Sequence, residues 1–267
     1  MKAINVVRCR GISILQQLQA EEILLRRTKQ NWFIMNTGMA DLSIVLGFGG
    51  KILELIDVDK VNQSVANGKS INVIRRYTGG GTVIVDENTV FASFIMNDSD
   101  VPTMPYPRDI MDWSEDIYKP VFNPLDTNNG NDIMTTHSHK FALRENDYIL
   151  NDLKIGGNAQ TITKGRWVHH TSFLWDYDVN NMHYLLLPKK QPEYRKDRLH
   201  HEFLDKIYHH IHTKDEFENK IIYEISKNYK INDIKQDYML NLVDKLISNN
   251  SDYGDRPPDI RTRIVEL

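Results

Sequence analysis

Residues 75–86 constrain the fold of this chain more than any other stretch of its sequence. They read Arg-Arg-Tyr-Thr-Gly-Gly-Gly-Thr-Val-Ile-Val-Asp. Glycine accepts positive φ and lets a ligand approach the backbone closely, and arginine offers a planar, permanently charged fork for phosphate or carboxylate. The stretch therefore predicts a strand that enters a tight turn, leaves as a second strand, and binds a nucleotide or an activated acid at the turn.

Composition excludes several classes of protein. Hydrophobic residues make up 40% and charged residues 26% of the 267 residues, which suits one large α/β domain. The formal charge of −3 argues against nucleic-acid binding, because few spare cations are available to displace counterions from phosphates. No apolar run approaches the length of a membrane span, and the one cysteine, Cys9, excludes an intramolecular disulfide. We expect a cytoplasmic protein that binds neither nucleic acid nor membranes, with an organelle after processing as the alternative.

Hydrophobic periodicity predicts both helices and strands, and therefore a chain of the α/β (α+β) class. The three consecutive strands between residues 71 and 96 indicate antiparallel neighbours. The predicted helices span 12–27, 53–67, 107–122, 198–212, 214–229 and 238–247, and the predicted strands span 32–35, 42–46, 71–76, 82–86, 89–96 and 168–175.

A second glycine-containing block lies at residues 148–159. Two short apolar runs flank Asn151-Asp152, which is the composition of a tight hairpin, and the second run carries Lys154. Residues 123–140 are rich in Asn, Asp, Thr and His without periodicity, and they predict a loop.

Three motifs, taken in order, resemble one family. The turn at 75–86 is followed by Lys-Ile-Gly-Gly-Asn-Ala at 154–159 and by Val-His-His-Thr-Ser-Phe at 168–173. This is similar to the lipoate-protein ligase branch of the biotin/lipoate A/B protein ligase family, in which Arg-Arg-x-Ser-Gly-Gly-Gly-Ala-Val precedes Lys-x-x-Gly-x-Ala and His-His-Gly-Thr. The resemblance covers roughly residues 10–210 and implies the fold of the biotin/lipoate ligase and class II synthetase catalytic domain. This is an α/β (α+β) fold in which helices flank a mixed, largely antiparallel central sheet.

The resemblance implies an ATP-dependent ligase. Such an enzyme activates lipoate, or a related carboxylic acid, as an acyl-adenylate and transfers it to a lysine of an acceptor protein. It implies ATP and Mg²⁺ as cofactors, lipoate as substrate and a lipoyl-domain protein as acceptor. We expect a single catalytic domain over 1–267, with a core at about 10–212 and a helical extension at 213–267. Larger members carry a C-terminal accessory domain that this chain does not match, which leaves room for a separate accessory-domain chain.

The resemblance also assigns site residues. Lys154 would be the catalytic residue, neutralising the carboxylate and the α-phosphate as their charges are redistributed. Arg76 would contact the carboxyl end of the acid, and the three glycines would let backbone pass beside the adenylate. The implied substrate- and adenylate-binding residues are Arg76, Thr78, Gly79, Gly80, Gly81, Thr82, Val83, Asn146, Gly156, Gly157, Ala159, His170 and Ser172.

The family's magnesium ligand is the aspartate of an Asn-Asp pair, and this chain offers two such pairs, Asn131-Asp132 and Asn146-Asp147. We choose Asp147 because it leads directly into the strand that folds back to Lys154. A hard cation needs oxygen ligands on a rigid element.

Two groups of aromatic and imidazole side chains leave alternatives open. Phe91, Phe94, Phe173 and Trp175 either line an apolar slot for an acyl tail or belong to the sheet core. The histidines of residues 200–212 lack the spacing of a helical zinc site, and we interpret them as a solvated helix face.

The chain departs from the family pattern at two positions. Val85 stands where a histidine is usual, and Thr171 replaces the glycine after the histidine pair. Two other functions therefore stay open: an ATP-independent octanoyl or lipoyl transferase, and a non-catalytic adenylate-binding subunit. The transferase reading needs a cysteine as acyl acceptor, and residues 120–175 contain none.

Overall fold

A computed structural model describes residues 1–122, 140–187, 191–196, 198–248 and 260–267. The predicted loop at 123–140 and the Asn131-Asp132 pair lie outside the described residues, apart from Lys140. Within those ranges the chain forms eight α-helices and twelve strands. The helices are α1 Ile14–Arg27, α2 Ile52–Leu55, α3 Val58–Ala66, α4 Pro107–Phe122, α5 Val179–Met182, α6 His200–Phe203, α7 Lys214–Ser226 and α8 Gln236–Ser248. The strands are β1 Lys2–Cys9, β2 Trp32–Asn36, β3 Ser43–Leu46, β4 Asn72–Arg75, β5 Val83–Val85, β6 Thr89–Asn97, β7 Phe141–Arg144, β8 Asp147–Leu150, β9 Leu153–Thr163, β10 Arg166–Leu174, β11 Tyr229–Ile234 and β12 Arg263–Ile264.

The strands form two sheets. The larger has the order β11-β1-β2-β6-β10-β9-β8-β7, and the smaller has the order β12-β4-β3-β5. In the larger sheet β1 pairs in parallel with β11 and β2, and every other pairing is antiparallel. The predicted fold class, a mixed and largely antiparallel sheet flanked by helices, is confirmed.

Alternating side chains give the large sheet two buried faces. On β2, Phe33 and Met35 join the main core with residues of α4 and α7, whereas Trp32 and Ile34 join a second cluster with residues of α1 and α8. Helices therefore cover the sheet on both sides.

Helix α1 begins where the sequence provides a complete cap. The Ser13 side chain accepts from the backbone of Gln16, and the Gln16 side chain accepts from the backbone of Ser13. Arg26 and Arg27 lie in the last turn, where cations complement the helix dipole. The helix packs against β6 and β10, and its Ile14 and Leu18 share an apolar cluster with Ile74 and Val85, which flank the glycine turn.

The prediction that residues 71–96 form three neighbouring antiparallel strands is wrong. β4 and β5 both pair with β3, the first in parallel and the second antiparallel, while β6 lies in the large sheet. The glycine turn is therefore a crossover past the end of β3, not the tip of a hairpin. Local alternation predicts strands but carries no information about which strand is the neighbour.

The predicted helix over 198–212 is also wrong. The structure has only α6 and a 3₁₀ turn at Ile207–His209 in that stretch. Phe203 packs with Ile149 and Tyr194, whereas Ile207 and Ile211 enter the main core. The apolar spacing thus serves two different clusters. Strands β1 and β11 were not predicted from the sequence. Strand β11 lies within the extension at 213–267 that we predicted to be helical.

Candidate active site

The glycine turn is held at its start by two backbone hydrogen bonds. The amide of Phe48, just after β3, donates to the carbonyl of Thr78 at 2.8 Å, and the amide of Gly79 donates to Gln160 on β9 at 3.3 Å. A Cβ on Gly47 would lie 2.2 Å from the Gly80 carbonyl oxygen, so glycine is required at position 47 for this approach. The turn is thereby clamped between the small sheet and the large one.

The two arginines ahead of the turn are bound to protein carbonyls. Arg75 donates from Nη1 to the carbonyls of Phe48 and Gly50. Arg76, which is buried, donates from Nε and Nη2 to Gly79 and from Nη2 to Gly81. Burial lowers the pKa of Arg76 to about 10, so the guanidinium is still charged near neutrality. Its predicted contact with an acid stays a prediction, and its observed contacts shape the turn.

Lys154 lies at the start of β9, after the predicted hairpin turn. The structure confirms that hairpin, with β8 and β9 joined at residues 151–152. The backbone of Lys154 is fixed on both sides, because it pairs with Ile149 on β8 and its carbonyl accepts from the amide of Asp205 at 2.9 Å. Its Nζ would lie 3.1 Å from a Cβ on Gly157, so a side chain at 157 would press on the ammonium.

Asp147 is the anion that faces Lys154. Its Oδ1 lies 2.8 Å from Lys154 Nζ, and its Oδ2 accepts a 2.9 Å hydrogen bond from the hydroxyl of Tyr194. Tyr194 was not singled out in the sequence, because it lies in a short 3₁₀ turn (Glu193–Arg195) without periodic signal. Burial raises the pKa of the Tyr194 hydroxyl further above its ordinary value, so it stays a donor.

Lys154 and the glycine turn line one cavity of about 750 Å³. This volume is that of a site for a ligand of drug or cofactor size. The predicted site residues that line it are Arg76, Gly79, Gly80, Gly81, Thr82, Val83, Asn146, Asp147, Lys154, Gly157, Ala159, His170 and Ser172. Apolar side chains that the sequence reading did not assign also line it: Leu55, Ile84, Met111, Ile162, Leu174, Met182, Leu185, Leu186 and Leu204.

Two predicted site residues lie behind the cavity wall. Thr78 is completely buried, with its hydroxyl 3.4 Å from Nε2 of His170. A Cβ on Gly156 would meet Phe173 and Thr171, so this glycine faces the core side of the sheet. Thr78 can reach a ligand only through the turn that it begins.

The histidine pair divides between the two faces of β10, as strand alternation requires. His170 and Ser172 line the cavity. His169 faces α4, where its ring nitrogens lie 3.1 Å from Ser114 Oγ and 3.0 Å from Gln160 Nε2. Burial and the neighbouring His170 lower the pKa of His169 to about 3, and burial lowers the pKa of His170 as well.

The aromatic residues with open assignments also separate by face. Phe91 lines the cavity, whereas Phe94 and Phe173 belong to the main core and Trp175 packs against it. The apolar wall of the cavity is therefore largely aliphatic.

Two residues that bear on the alternative functions, Val85 and Cys9, are both buried. Val85 is completely buried in an apolar cluster with Ile14, Leu18 and Val45, so its position is structural. Cys9 lies on β1 outside the residues that line the cavity, and burial raises the pKa of its thiol to about 12. A thiol in that state is a poor nucleophile.

The histidine-rich segment is not the helix face that we predicted. The carboxylate of Asp205 accepts from His209 Nδ1 at 3.2 Å and from His210 Nε2 at 2.7 Å. The backbone amide of Lys206 donates to the same carboxylate. Hydrogen bonds to one carboxylate thus link the two rings.

Comparison with known proteins identifies the family. The lipoyl protein ligase A/B catalytic domain matches residues 13–226, a span that includes the glycine turn, Lys154 and strands β9 and β10. The chain belongs to this family. Within it, the chain is 31% identical over 246 residues to a Plasmodium falciparum protein named inactive lipoate–protein ligase 2, covering 79% of this chain and 63% of that protein. It is 28% identical over 215 residues to lipoate–protein ligase 2 of Staphylococcus aureus, covering 74% and 58%. The chain thus spans less than two thirds of the length of these relatives.

Solved structures of family members share the fold. A lipoate-protein ligase A bound with ATP aligns with a TM-score of 0.63 at 20% identity, covering 92% of this chain and 95% of that one. The ligase of a bipartite lipoylation system from Thermoplasma acidophilum aligns with a TM-score of 0.65 at 19% identity, covering 94% and 96%. In the described part of the chain, no helix is both long and apolar enough to cross a membrane.

Proposed function

We propose that this chain is an ATP-dependent ligase that activates lipoate, or a related carboxylic acid, as an acyl-adenylate and transfers the acyl group to a lysine of an acceptor protein. The observation that carries the proposal is the convergence of Lys154 and the glycine turn on one cavity, whose lining also includes many aliphatic side chains. The cavity therefore offers cationic side chains and the backbone of the glycine turn for phosphate, and apolar side chains for an acyl tail.

The charges in the cavity suit adenylate formation. Attack of a carboxylate on the α-phosphate of ATP brings two anions together, expels pyrophosphate and forms a mixed anhydride. Lys154, Arg76 and Arg195 are the cations that line the cavity, opposed by Glu145 and Asp147. A fixed ammonium beside the reacting oxygens stabilises the charge that accumulates there without reorganisation of solvent.

The residues present fit a magnesium ion carried in with the nucleotide. Mg²⁺ at such sites takes one or two carboxylates plus substrate phosphates and keeps several waters. Asp147 would supply the carboxylate, since each of its oxygens makes one contact and retains a lone pair. Exposed Asn146 beside it would add a neutral oxygen. The ion would neutralise the phosphates of ATP.

The acceptor in this proposal is a lipoyl-domain protein. The Thermoplasma neighbour belongs to a system described as a bipartite ligase with its E2 lipoyl domain. We extend to this chain both the lipoyl-domain acceptor and a separate accessory-domain chain. A single catalytic domain over 1–267 in a cytoplasmic or organellar setting stays a prediction.

A non-catalytic adenylate-binding subunit is the second candidate. It is favoured by the likeness to a relative that is named inactive, and by the engagement of Lys154 with Asp147. Cysteine-dependent transfer without ATP is disfavoured, because Cys9 is buried and outside the cavity lining.

The proposal is tested by lipoate-dependent exchange of pyrophosphate into ATP, with octanoate and biotin as parallel acids. Replacement of Lys154 by Met is expected to lower exchange by about 10²–10³-fold, the usual loss for one preorganised group at a transition state. Lys206, whose Nζ is paired with Asp176 at 2.6 Å outside the cavity lining, provides a matched control, and Lys206→Met should retain exchange.

The outcomes separate the candidates. Exchange with lipoate or octanoate that requires Lys154 supports the ligase. Tight binding of the acid and ATP without exchange, with or without a lipoyl domain, supports the binding subunit. Absence of both binding and exchange in folded protein overturns the assignment.

A further inference from the structure

Two consecutive carboxylates on α1, Glu21 and Glu22, are completely buried. A buried carboxylate is costly unless it is paired or hydrogen-bonded, so the partners of each one indicate what it supports. Glu22 accepts from the side chain of Arg26 and from the backbone amides of Arg261 and Thr262. It therefore ties the helix to the C-terminal residues. Glu21 contacts a different part of the molecule.

Glu21 joins two neighbouring strands of the large sheet. Its Oε1 accepts a 2.6 Å hydrogen bond from Ser93 Oγ on β6, and its Oε2 lies 2.9 Å from Nδ1 of His170 on β10. Ser93 and His170 lie opposite each other in the pairing of β6 with β10, and the Ser93 hydroxyl also accepts from the side-chain amide (Nε2) of Gln17 at 3.1 Å. Rotation of the Glu21 side chain would break both carboxylate contacts.

These contacts define the protonation of the His170 ring. A carboxylate can only accept, so Nδ1 carries the proton that is shared with Glu21. Burial lowers the pKa of His170, which keeps the ring neutral and leaves a lone pair on Nε2. Nε2 lies 3.4 Å from Oγ1 of Thr78, the residue that begins the glycine turn, so its lone pair can accept from this hydroxyl. The ring of Phe91 packs against the imidazole with 4.8 Å between centroids.

Glu21 also acts on the second support of the turn. The guanidinium of Arg76 holds the carbonyls of Gly79 and Gly81, and Glu21 is the anion that favours its charge against the effect of burial. The charge of Glu21 thus favours the ionised form of Arg76, in addition to the direct contact of Glu21 with His170. Burial of an arginine without a nearby anion would be far more costly.

We propose that Glu21 is a positioning residue of the site: it holds His170 in the Nδ1–H tautomer and so fixes, through Thr78, the start of the glycine turn in its cavity-lining conformation. Glu21 itself does not line the cavity, and it acts through His170 and Thr78. The catalytic consequence rests on the proposed function, whereas the tautomer of His170 does not.

The first test is the tautomer, measured by two-bond ¹⁵N–¹H correlation spectra of ¹⁵N-histidine-labelled protein without ligands. His170→Gln identifies the signals of this ring. In the wild-type protein the proton is expected on Nδ1. Glu21→Gln removes the charge at nearly constant shape, and its amide can present either a donor or an acceptor, so we expect a mixture of tautomers or loss of the single Nδ1–H state.

Glu22→Gln is the matched control, because it neutralises an equally buried carboxylate one residue along the same helix. It is expected to lower the unfolding midpoint and to leave the His170 tautomer unchanged. A proton on Nε2 in the wild-type ring would overturn the proposal even if Glu21→Gln failed to fold. An unchanged tautomer in folded Glu21→Gln would overturn it as well.

The second test is the affinity for a sulfamate analogue of lipoyl-adenylate, measured by calorimetry. Loss of a charge-assisted hydrogen bond that supports the turn should weaken binding by about 10-fold or more in Glu21→Gln, and Glu22→Gln should stay within about threefold of wild type. Equal weakening in both variants would assign Glu21 a purely structural role. If the wild-type protein does not bind the analogue, the proposed function fails, while the tautomer experiment still decides the role of Glu21.

Discussion

His169 and His170 are neighbours in the sequence, but their rings occupy two separate buried environments on opposite faces of β10. Both pKa values are lowered by burial, that of His169 to about 3. In the unfolded chain a histidine titrates near pH 6.5. Between these values the unfolded state binds more protons than the folded state, so stability rises with pH there and is lost as pH falls below about 6.5.

The difference in histidine pKa between the folded and unfolded states predicts that acid lowers the free energy of unfolding, and that replacing His169 reduces this effect. Below pH 6.5, each buried histidine should reduce the free energy of unfolding by up to about 1.4 kcal/mol per pH unit. His169→Gln should therefore flatten the dependence of the urea midpoint on pH between 7 and 5. Exposed His183 is the control, and His183→Gln should leave the slope unchanged. Equal slopes in wild type and His169→Gln would contradict the assignment.

Site residues could be identified from the sequence where they belong to a motif. They were missed where their role depends on burial and on contacts that only the fold creates. The motifs singled out Lys154, Asp147 and the three glycines of the turn, and the structure brings these residues to one cavity. Glu21 left a weaker signal: with Gln17 it interrupts the apolar stripe of α1 at helical spacing, the mark of a buried polar contact. Tyr194 left none, because only the fold brings it to Asp147.

At the scale of elements, the glycine turn can be tested with a matched pair of glycines. Gly80 has φ 97° and Gly165 has φ 83°, so alanine is strained at either position. A Cβ on Gly80 would also lie 2.7 Å from Arg76 Nη2 and 3.0 Å from Ala159 Cβ, whereas at Gly165 nothing lies within 4 Å. Gly80→Ala should abolish binding of the adenylate analogue, and Gly165→Ala should lose only stability, by about 1–2 kcal/mol. Similar binding by both variants would show that the turn is not part of the site.

The C-terminal residues form an element that stabilises the small sheet outside the residues that line the cavity. β12 pairs with β4, and the hydroxyl of Thr262 accepts from the amide of Tyr77 and donates to Glu22. Thr262→Ala removes the acceptor of the Tyr77 amide and one of the donors to Glu22 Oε2, and should cost about 1–3 kcal/mol in the free energy of unfolding by urea. Exposed Thr163, whose hydroxyl donates to Arg166, is the control, with an expected cost under about 1 kcal/mol for Thr163→Ala. Equal costs would show that Thr262 is dispensable.

The type of a helix was predictable where its apolar residues pack on one face of the large sheet. Helices α1 and α4 and the β8–β9 hairpin lie where the sequence indicated them. The helix predicted at 198–212 failed because its apolar residues serve two clusters. Strand β11 was missed because it is an edge strand with alternating polar residues, whose pairing with β1 joins distant segments of the chain.

At the scale of the whole molecule, ligand binding should appear as stabilisation. A ligand that binds only the folded state adds about 2.7 kcal/mol at a concentration of 100 Kd. ATP-Mg²⁺ with lipoate should therefore raise the melting temperature by more than ATP-Mg²⁺ with acetate, whose single methyl group cannot fill the aliphatic wall. Equal shifts with the two acids would show that the apolar part of the cavity does not bind the acyl tail.

The pairing of Lys154 with Asp147 has a consequence for selectivity. Any incoming anion must compete with a carboxylate that already touches the ammonium at 2.8 Å. A fragment such as free phosphate or a short fatty acid would break that contact and replace little of it. On the proposed function, a complete nucleotide would bring its own divalent counterion, which would pair with the carboxylate in place of the ammonium. The resting ion pair would then select against partial substrates.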